Sequence, residues 1–139
     1  MEPTEVQVIP TPQLLAGLTA LLGTHGPFNA MTLALYQNVV NLTRQTLLSD
    51  LTIATFTGYA SVVGVTFSAS YIDVDGSALA LGEDNVFIAT GSTIANTIYG
   101  YYFTDVAVAN LLLAYALAAP VGIGSAGQAI AVAPFVRYS

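Results

Sequence analysis

Between Asp105 and Arg137 the chain carries no charged side chain, and residues 106–124 are apolar enough to fill a membrane-type hydropathy window. A stretch of that kind has two physical outlets: a helix in lipid, or strands buried on both faces within protein. Asn110, Pro120 and the closely spaced Gly122, Gly124 and Gly127 interrupt the helical option, and no Lys or Arg cluster flanks the stretch to orient it in a bilayer. Buried strands are therefore expected, and no membrane association.

The same shortage of charge runs through all 139 residues: 55% are hydrophobic, 7% are charged, and two basic against eight acidic side chains leave a net charge of −6. The length suits one domain. A surface this poor in ions must be finished with Thr, Ser, Asn and Gln or be covered by neighbouring protein, because large exposed apolar patches drive association. An oligomer or assembly subunit is the expectation. With Arg44 and Arg137 the only basic residues, the electrostatic term that supplies most non-specific affinity for DNA or RNA is missing, so direct nucleic-acid binding is not expected. The lack of cysteine removes disulfides and thiolate metal sites. The acidic, proline-containing start from Met1 to Glu5 is not the basic-then-apolar order of a secretory signal.

Residues 1–10 set Pro3 and Pro10 around Val6, Gln7, Val8 and Ile9, an extended arm suited to joining a neighbour's sheet edge. Residues 11–139 read as a single domain that begins with a helix at about 12–22. Thr11 is its N-cap, Pro12 its first residue, and Leu14, Leu15, Leu18, Leu21 and Leu22 recur at helical spacing before Gly23. Met31, Leu33 and Leu35 then alternate with Thr32, Ala34 and Tyr36 as in a strand. Residues 38–56 are mixed, with a helical turn near 46–51. Short runs rich in Val, Ile, Thr, Tyr and Phe follow at 59–65, 67–74, 78–81, 85–90, 97–103, 111–117 and 128–135. Turn signals separate several of them: Asp75-Gly76, Gly82 to Asn85, Gly91-Ser92 and Thr104-Asp105. The fold class this predicts is mainly β: an antiparallel β-sandwich or jelly roll with one short N-terminal helix and an extended N-terminal arm. In the run at 97–103, strict alternation puts Thr97, Tyr99, Tyr101 and Phe103 on one face and Ile98, Gly100 and Tyr102 on the other. Both faces are largely apolar, which predicts a central strand, with tyrosines suited to an interface.

Candidate chemistry is thin. Asp73, Asp75 and Gly76 match the opening of a calcium loop, but no third acidic ligand follows at the required spacing, and a hairpin turn explains them. Glu83 and Asp84 are neighbours whose side chains diverge in an extended segment, as expected of a solvated turn rather than an acid–base pair. His25 is the sole histidine and has no matching nucleophile motif; its place just past the helix suits a capping role. Gly122, Gly124 and Gly127 have the spacing of a dinucleotide loop, yet a β-like run follows them instead of a helix, so they read as a turn. No enzyme, metal site or cofactor is expected.

The order of segments carries a resemblance. Residues 33–36, then 51–60 with Phe56-Thr57-Gly58-Tyr59-Ala60, then 95–105 with Ile98-Tyr99-Gly100-Tyr101-Tyr102-Phe103, then 111–121, and a terminal strand ending in Tyr138-Ser139 resemble small virion-associated proteins of tailed bacteriophages. The likeness runs from about Ala30 to Ser139. It implies a sandwich or jelly-roll protein that decorates or cements the phage head, a homotrimer bridging copies of the major capsid protein, made in the host cytoplasm and carried on the head surface. A tail, fibre or baseplate module that binds a receptor or a neighbouring virion protein is the alternative. On the decoration reading the expected contact residues are Val6, Val8, Ile9, Tyr99, Tyr102, Phe135 and Tyr138, with Arg44 and Arg137 able to pair with acidic neighbours.

Overall fold

The computed structural model describes residues 6–8, 31–65, 71–72, 76, 78–91, 95–105, 108 and 110–138. Among these, ten strands run in chain order: β1 (Val6–Val8), β2 (Met31–Tyr36), β3 (Val62–Val65), β4 (Tyr71–Ile72), β5 (Ala78–Leu81), β6 (Asn85–Ile88), β7 (Asn96–Thr104), β8 (Leu111–Ile123), β9 (Ala129–Val132) and β10 (Phe135–Tyr138). They form a five-stranded sheet in the order β1-β8-β7-β2-β3, a three-stranded sheet β10-β5-β4 and a two-stranded sheet β6-β9, with every pairing antiparallel. The chain is thus mainly β, as composition and turn spacing predict. A 3-10 turn at Leu48–Asp50 stands where a helical turn is expected. The expected helix at about 12–22, together with His25, lies outside the described residues.

β7 and β8 are the central pair, and residues 100–104 of β7 and 113–115 of β8 are buried within it. β2, beside β7, is buried at all six positions. From one face of this sheet Met31, Leu33, Leu35, Ile98, Tyr101, Phe103, Leu113, Tyr115 and Ile123 enter a core that Phe87 of β6, Ile130 and Val132 of β9 and Phe135 of β10 complete. The two smaller sheets therefore pack on that face. On the opposite face Ala34, Tyr36, Tyr102, Leu111 and Ala114 form a second cluster with Leu51, against which Val40, Leu42, Leu48 and Tyr99 pack. At roughly 1.5–3 kcal/mol for each large apolar side chain fully buried, these two clusters supply the main drive to fold.

Register shifts correct the strict alternation expected of β7. Ile98 pairs with Val121 but Gly100 with Ala116, so two steps along β7 span five along β8 and three extra residues bulge from β8. The bulge carries exposed Ala118, Ala119 and Pro120, where a missing proline N–H breaks no ladder bond. It turns Ile98 onto the face of Tyr101 and Phe103 and leaves Tyr99 with Tyr102 on the other. A second bulge lies at Leu112, between the pairs Phe103–Leu113 and Thr104–Leu111. A third, opposite Met31 and Thr32, takes Gly64 as its extra residue at φ 82°, a conformation that glycine adopts without penalty.

Other differences from the sequence-based expectation have equally local causes. β1 pairs with β8 of its own chain, Val6 opposite Ala116 and Val8 opposite Ala114, so this part of the arm is an edge strand of the home sheet. The run at 111–117 continues to Ile123, because the bulge lets β8 re-pair with β7. The run at 128–135 is two strands in different sheets, divided at Ala133 and Pro134, since proline has no N–H to carry a ladder onward. β4 and β5 pair antiparallel on either side of the expected hairpin connection, of which Asp75 lies outside the described residues, whereas Gly82 to Asn85 carries the chain from one small sheet to the other.

Tyr115 ties the layers together. It is fully buried and stacks on Tyr101, its directly opposed partner, at 4.5 Å between ring centroids. Phe103 and Phe135 meet it edge-on at 6.1 Å and 5.4 Å, and its hydroxyl donates to the Phe135 carbonyl. Beside it, Gly100 leaves room for the Tyr36 hydroxyl to donate to the Tyr115 carbonyl at 3.2 Å. A methyl group at Gly100 would sit 2.0 Å from that carbonyl oxygen and 2.5 Å from the Tyr36 hydroxyl. Because one of these atoms is backbone, Gly100→Ala should cost about 3 kcal/mol or more, read as a lowered urea midpoint. Tyr115→Phe, which strands the Phe135 carbonyl but keeps the ring, should cost about 1–3 kcal/mol in the same titration.

Candidate contact surface

The connection between β2 and β3, residues 37–61, is long enough to demand a reason, since structureless loops of more than roughly 12–15 residues are usually functional or disordered. This one is ordered by short polar side chains. Gln37 donates through Nε2 to the Ile53 carbonyl at 2.8 Å and to Thr55 Oγ1 at 3.2 Å. Asn38 donates to the Asp50 carbonyl and accepts from the Thr52 N–H, both at 2.8 Å, which closes residues 38–52 into a loop with a defined neck. Within it the Thr46 hydroxyl accepts from the Thr43 N–H at 2.8 Å, and the Asp50 carboxylate accepts from the Leu47 N–H at 2.8 Å. Beyond the neck, Asn96 accepts from the Thr55 N–H at 2.7 Å and anchors the segment to β7.

The same segment completes β2. Past the end of β3, the Leu35 carbonyl accepts from the Ala54 N–H at 3.0 Å, and the Leu35 N–H donates to the Tyr59 hydroxyl at 3.0 Å. Buried backbone groups that a ladder does not reach are thus satisfied from the loop. The inner side of the loop, Leu42, Leu48 and Leu51, packs on the second cluster, and the outer side presents Val39, 79% exposed, and Leu47, 59% exposed. Arg44, on the same loop, is exposed and makes no ion pair among the described residues. Val39, Leu47 and Arg44 are the candidate contact residues of this loop.

The nine expected contact residues do not converge. Arg44 lies on the loop just described, and Tyr99 is half-buried beside the β8 bulge. Tyr102 and Phe135 are core residues, each 4% exposed, so neither reaches a partner's surface; both faces of β7 are covered by the chain's own loop and small sheets. Val6 and Val8 are engaged through their backbone with β8, and Ile9 lies outside the described residues. Arg137 and Tyr138 sit on β10, opposite Leu79 and Ala78, with Arg137 half-buried. Val39 and Leu47 escaped the sequence reading because nothing in a mixed segment marks which apolar residues face outward. The signal available was the density of Asn, Gln and Thr around them, the residues that build loops through side-chain hydrogen bonds.

Other motifs resolve as turns. The Gly122 to Gly127 segment closes on the Gln128 side chain, whose Oε1 accepts from the N–H groups of Gly124 at 2.6 Å and Ser125 at 2.9 Å. Asp73 and Asp75 lie outside the described residues, and no helix among the described residues is long and apolar enough to cross a membrane. No protein-family model matches the chain, and neither the curated proteins nor the solved structures compared with it give a match.

Burial raises the hydroxyl pKa of Tyr36 and of Tyr102 to about 12, because the phenolate would lose its hydration beneath the loop. Both groups hold their protons more tightly folded than unfolded. Their contribution to stability is therefore complete below pH 10, the ordinary tyrosine value, and is lost as pH rises towards 12. The thermal midpoint should fall across that window, and Tyr102→Phe should make the fall shallower; an equal fall in the variant would show that Tyr102 does not take part.

Proposed function

We propose that the chain is a non-enzymatic structural subunit of a bacteriophage virion, whose sheets close as a β-sandwich and which decorates and cements the head by bridging copies of the major capsid protein. The observation that carries this reading is the ordered 37–61 loop, which leaves Val39, Leu47 and Arg44 exposed on a chain with one other basic residue. A solvent-facing surface of that kind is better satisfied by protein than by water. Support comes also from the likeness in segment order to small virion-associated proteins and from the mainly β architecture. A homotrimer at a threefold site of the shell suits this role, because each copy then presents its loop to a different capsid subunit.

The contact set differs from the one expected from sequence. The loop residues Val39, Leu47 and Arg44, with Tyr99 beneath, replace buried Tyr102 and Phe135. Val39→Asp with Leu47→Asp should leave the circular dichroism unchanged, since both side chains are exposed, and should lower the number of copies on purified heads by tenfold or more. Unchanged occupancy would remove the loop from the interface. Recovery of the chain in purified tails and not in heads would replace the decoration reading with the tail, fibre or baseplate one.

A further inference from the structure

Sheet edges invite pairing with other chains, and folded proteins blunt them with short strands, bulges, prolines or inward charges. Most edges here are blunted in one of these ways. β1 has three residues and β4 two, β3 carries the Gly64 bulge, β10 carries Arg137, and β9 runs into Pro134. β6 has none of these devices. Its sequence is Asn85-Val86-Phe87-Ile88, with a regular register against β9.

The direction of its free backbone groups follows from the ladder. Ala89 exchanges its N–H and carbonyl with Gln128 and Gly127 on the β9 side, at 2.9 and 2.8 Å. Alternate residues face the same way, so Phe87 and Asn85 also bond towards β9, while Val86 and Ile88 direct their N–H and C=O groups away from it. Thr90, the next residue with that outward direction, donates to the Thr57 carbonyl at 3.0 Å. The edge is therefore used once at its end and is open at Val86 and Ile88, which make no other hydrogen bond among the described residues. Their side chains are 58% and 50% exposed, and cross-strand Ala131 and Ala129 extend the same outward face as an uncharged patch.

We propose that this edge pairs with the same edge of a second copy, antiparallel about a two-fold axis through Phe87, joining two β6-β9 ribbons into one four-stranded sheet. In that register Val86 stands opposite Ile88 of the other copy. These are the residues whose backbone groups point outward, so each pair exchanges two hydrogen bonds, and a β-branched pair covers them on the outer face. Charge selects the direction. Glu83 and Asp84 precede β6 and are exposed. The antiparallel register separates the two Asp84 residues by six positions, or about 20 Å at ~3.4 Å per residue, well past the screening length of about 8 Å. A parallel register would set them on adjacent strands about 5 Å apart. The chain's excess of acid thus permits one pairing and opposes the other.

The full chain has no cysteine, so introduced thiols report register without background. Purified V86C and I88C chains, mixed and oxidised, should give a covalent dimer, because the opposed positions lie about 5.5 Å apart between Cα atoms and within disulfide reach. V86C alone should not, its diagonal spacing being about 7–8 Å. In parallel, the solution mass of the unmodified chain should be an even multiple of the monomer at high concentration, which for a trimeric subunit is a hexamer of two trimers joined at these edges. V86K with I88K should halve that mass without changing the circular dichroism, and V86T with I88T should keep it if the lysine variant misfolds. A monomeric or odd-numbered unmodified chain, an unchanged mass in the lysine variant, or a crosslink formed as readily by V86C alone would each overturn the pairing. These readouts use residues separate from the 37–61 loop, so failure here leaves the decoration reading standing, and failure of that reading leaves this pairing intact.

Discussion

The aromatic contact at Tyr115 is the constraint on which the remaining architecture depends. One side chain stacks on Tyr101 across the β7–β8 seam, meets Phe103 and Phe135 at their edges, and ties the five-stranded sheet to β10 through a hydroxyl–carbonyl bond. Offset and edge-on pairs add about 0.5–1.5 kcal/mol each beyond the area they bury. The arrangement needs Gly100 next door, where a side chain would collide with the Tyr115 carbonyl and the Tyr36 hydroxyl. Tyrosine and glycine thus act together: one fills the interior and the other lets the backbone close around it.

That packing has a consequence for the outside of the molecule. Because the central sheet is covered on both faces by the chain's own segments, Tyr36, Tyr101, Tyr102 and Tyr115 are buried, and the segments that cover them form the outer surface. The 37–61 loop does this on one face, held by Asn38, Gln37, Thr46 and Asp50. The small β6-β9 ribbon contributes on the other, its Phe87, Ile130 and Val132 turned inward and its Val86 and Ile88 outward. A chain with ten charged residues has few means of solvating such surfaces. The proposed capsid contact uses the loop, and the proposed pairing of two copies uses the edge.

Strand existence was legible because β-branched and aromatic runs between turn signals mark extended backbone wherever they occur. β2 and β5 fall at their expected bounds, and β7 within one residue of them at each end. Face assignment along β7 failed from Ile98 to Tyr99, because a three-residue bulge in the partner strand reverses the alternation there and leaves no mark in the sequence of β7 itself. Pro120 and Pro134 are both visible in the sequence, yet one sits in a bulge within a single strand and the other divides two strands. The same missing N–H is compatible with either.

The sequence by itself determined the mainly β class of this protein: a strand at Leu111–Ile123 within the apolar stretch that a membrane helix would also fit, and a turn at Gly124 to Gln128. These are properties of local backbone preference and solvation, which depend on neighbours a few residues away. Only the tertiary structure decided which apolar residues face outward. Tyr102 and Phe135 are buried while Val39, Leu47, Val86 and Ile88 are exposed, although all are of similar character. That choice rests on which strand lies beside which, through pairings such as Tyr101 with Tyr115 and Phe87 with Ile130, and hydrophobicity alone carries no record of them.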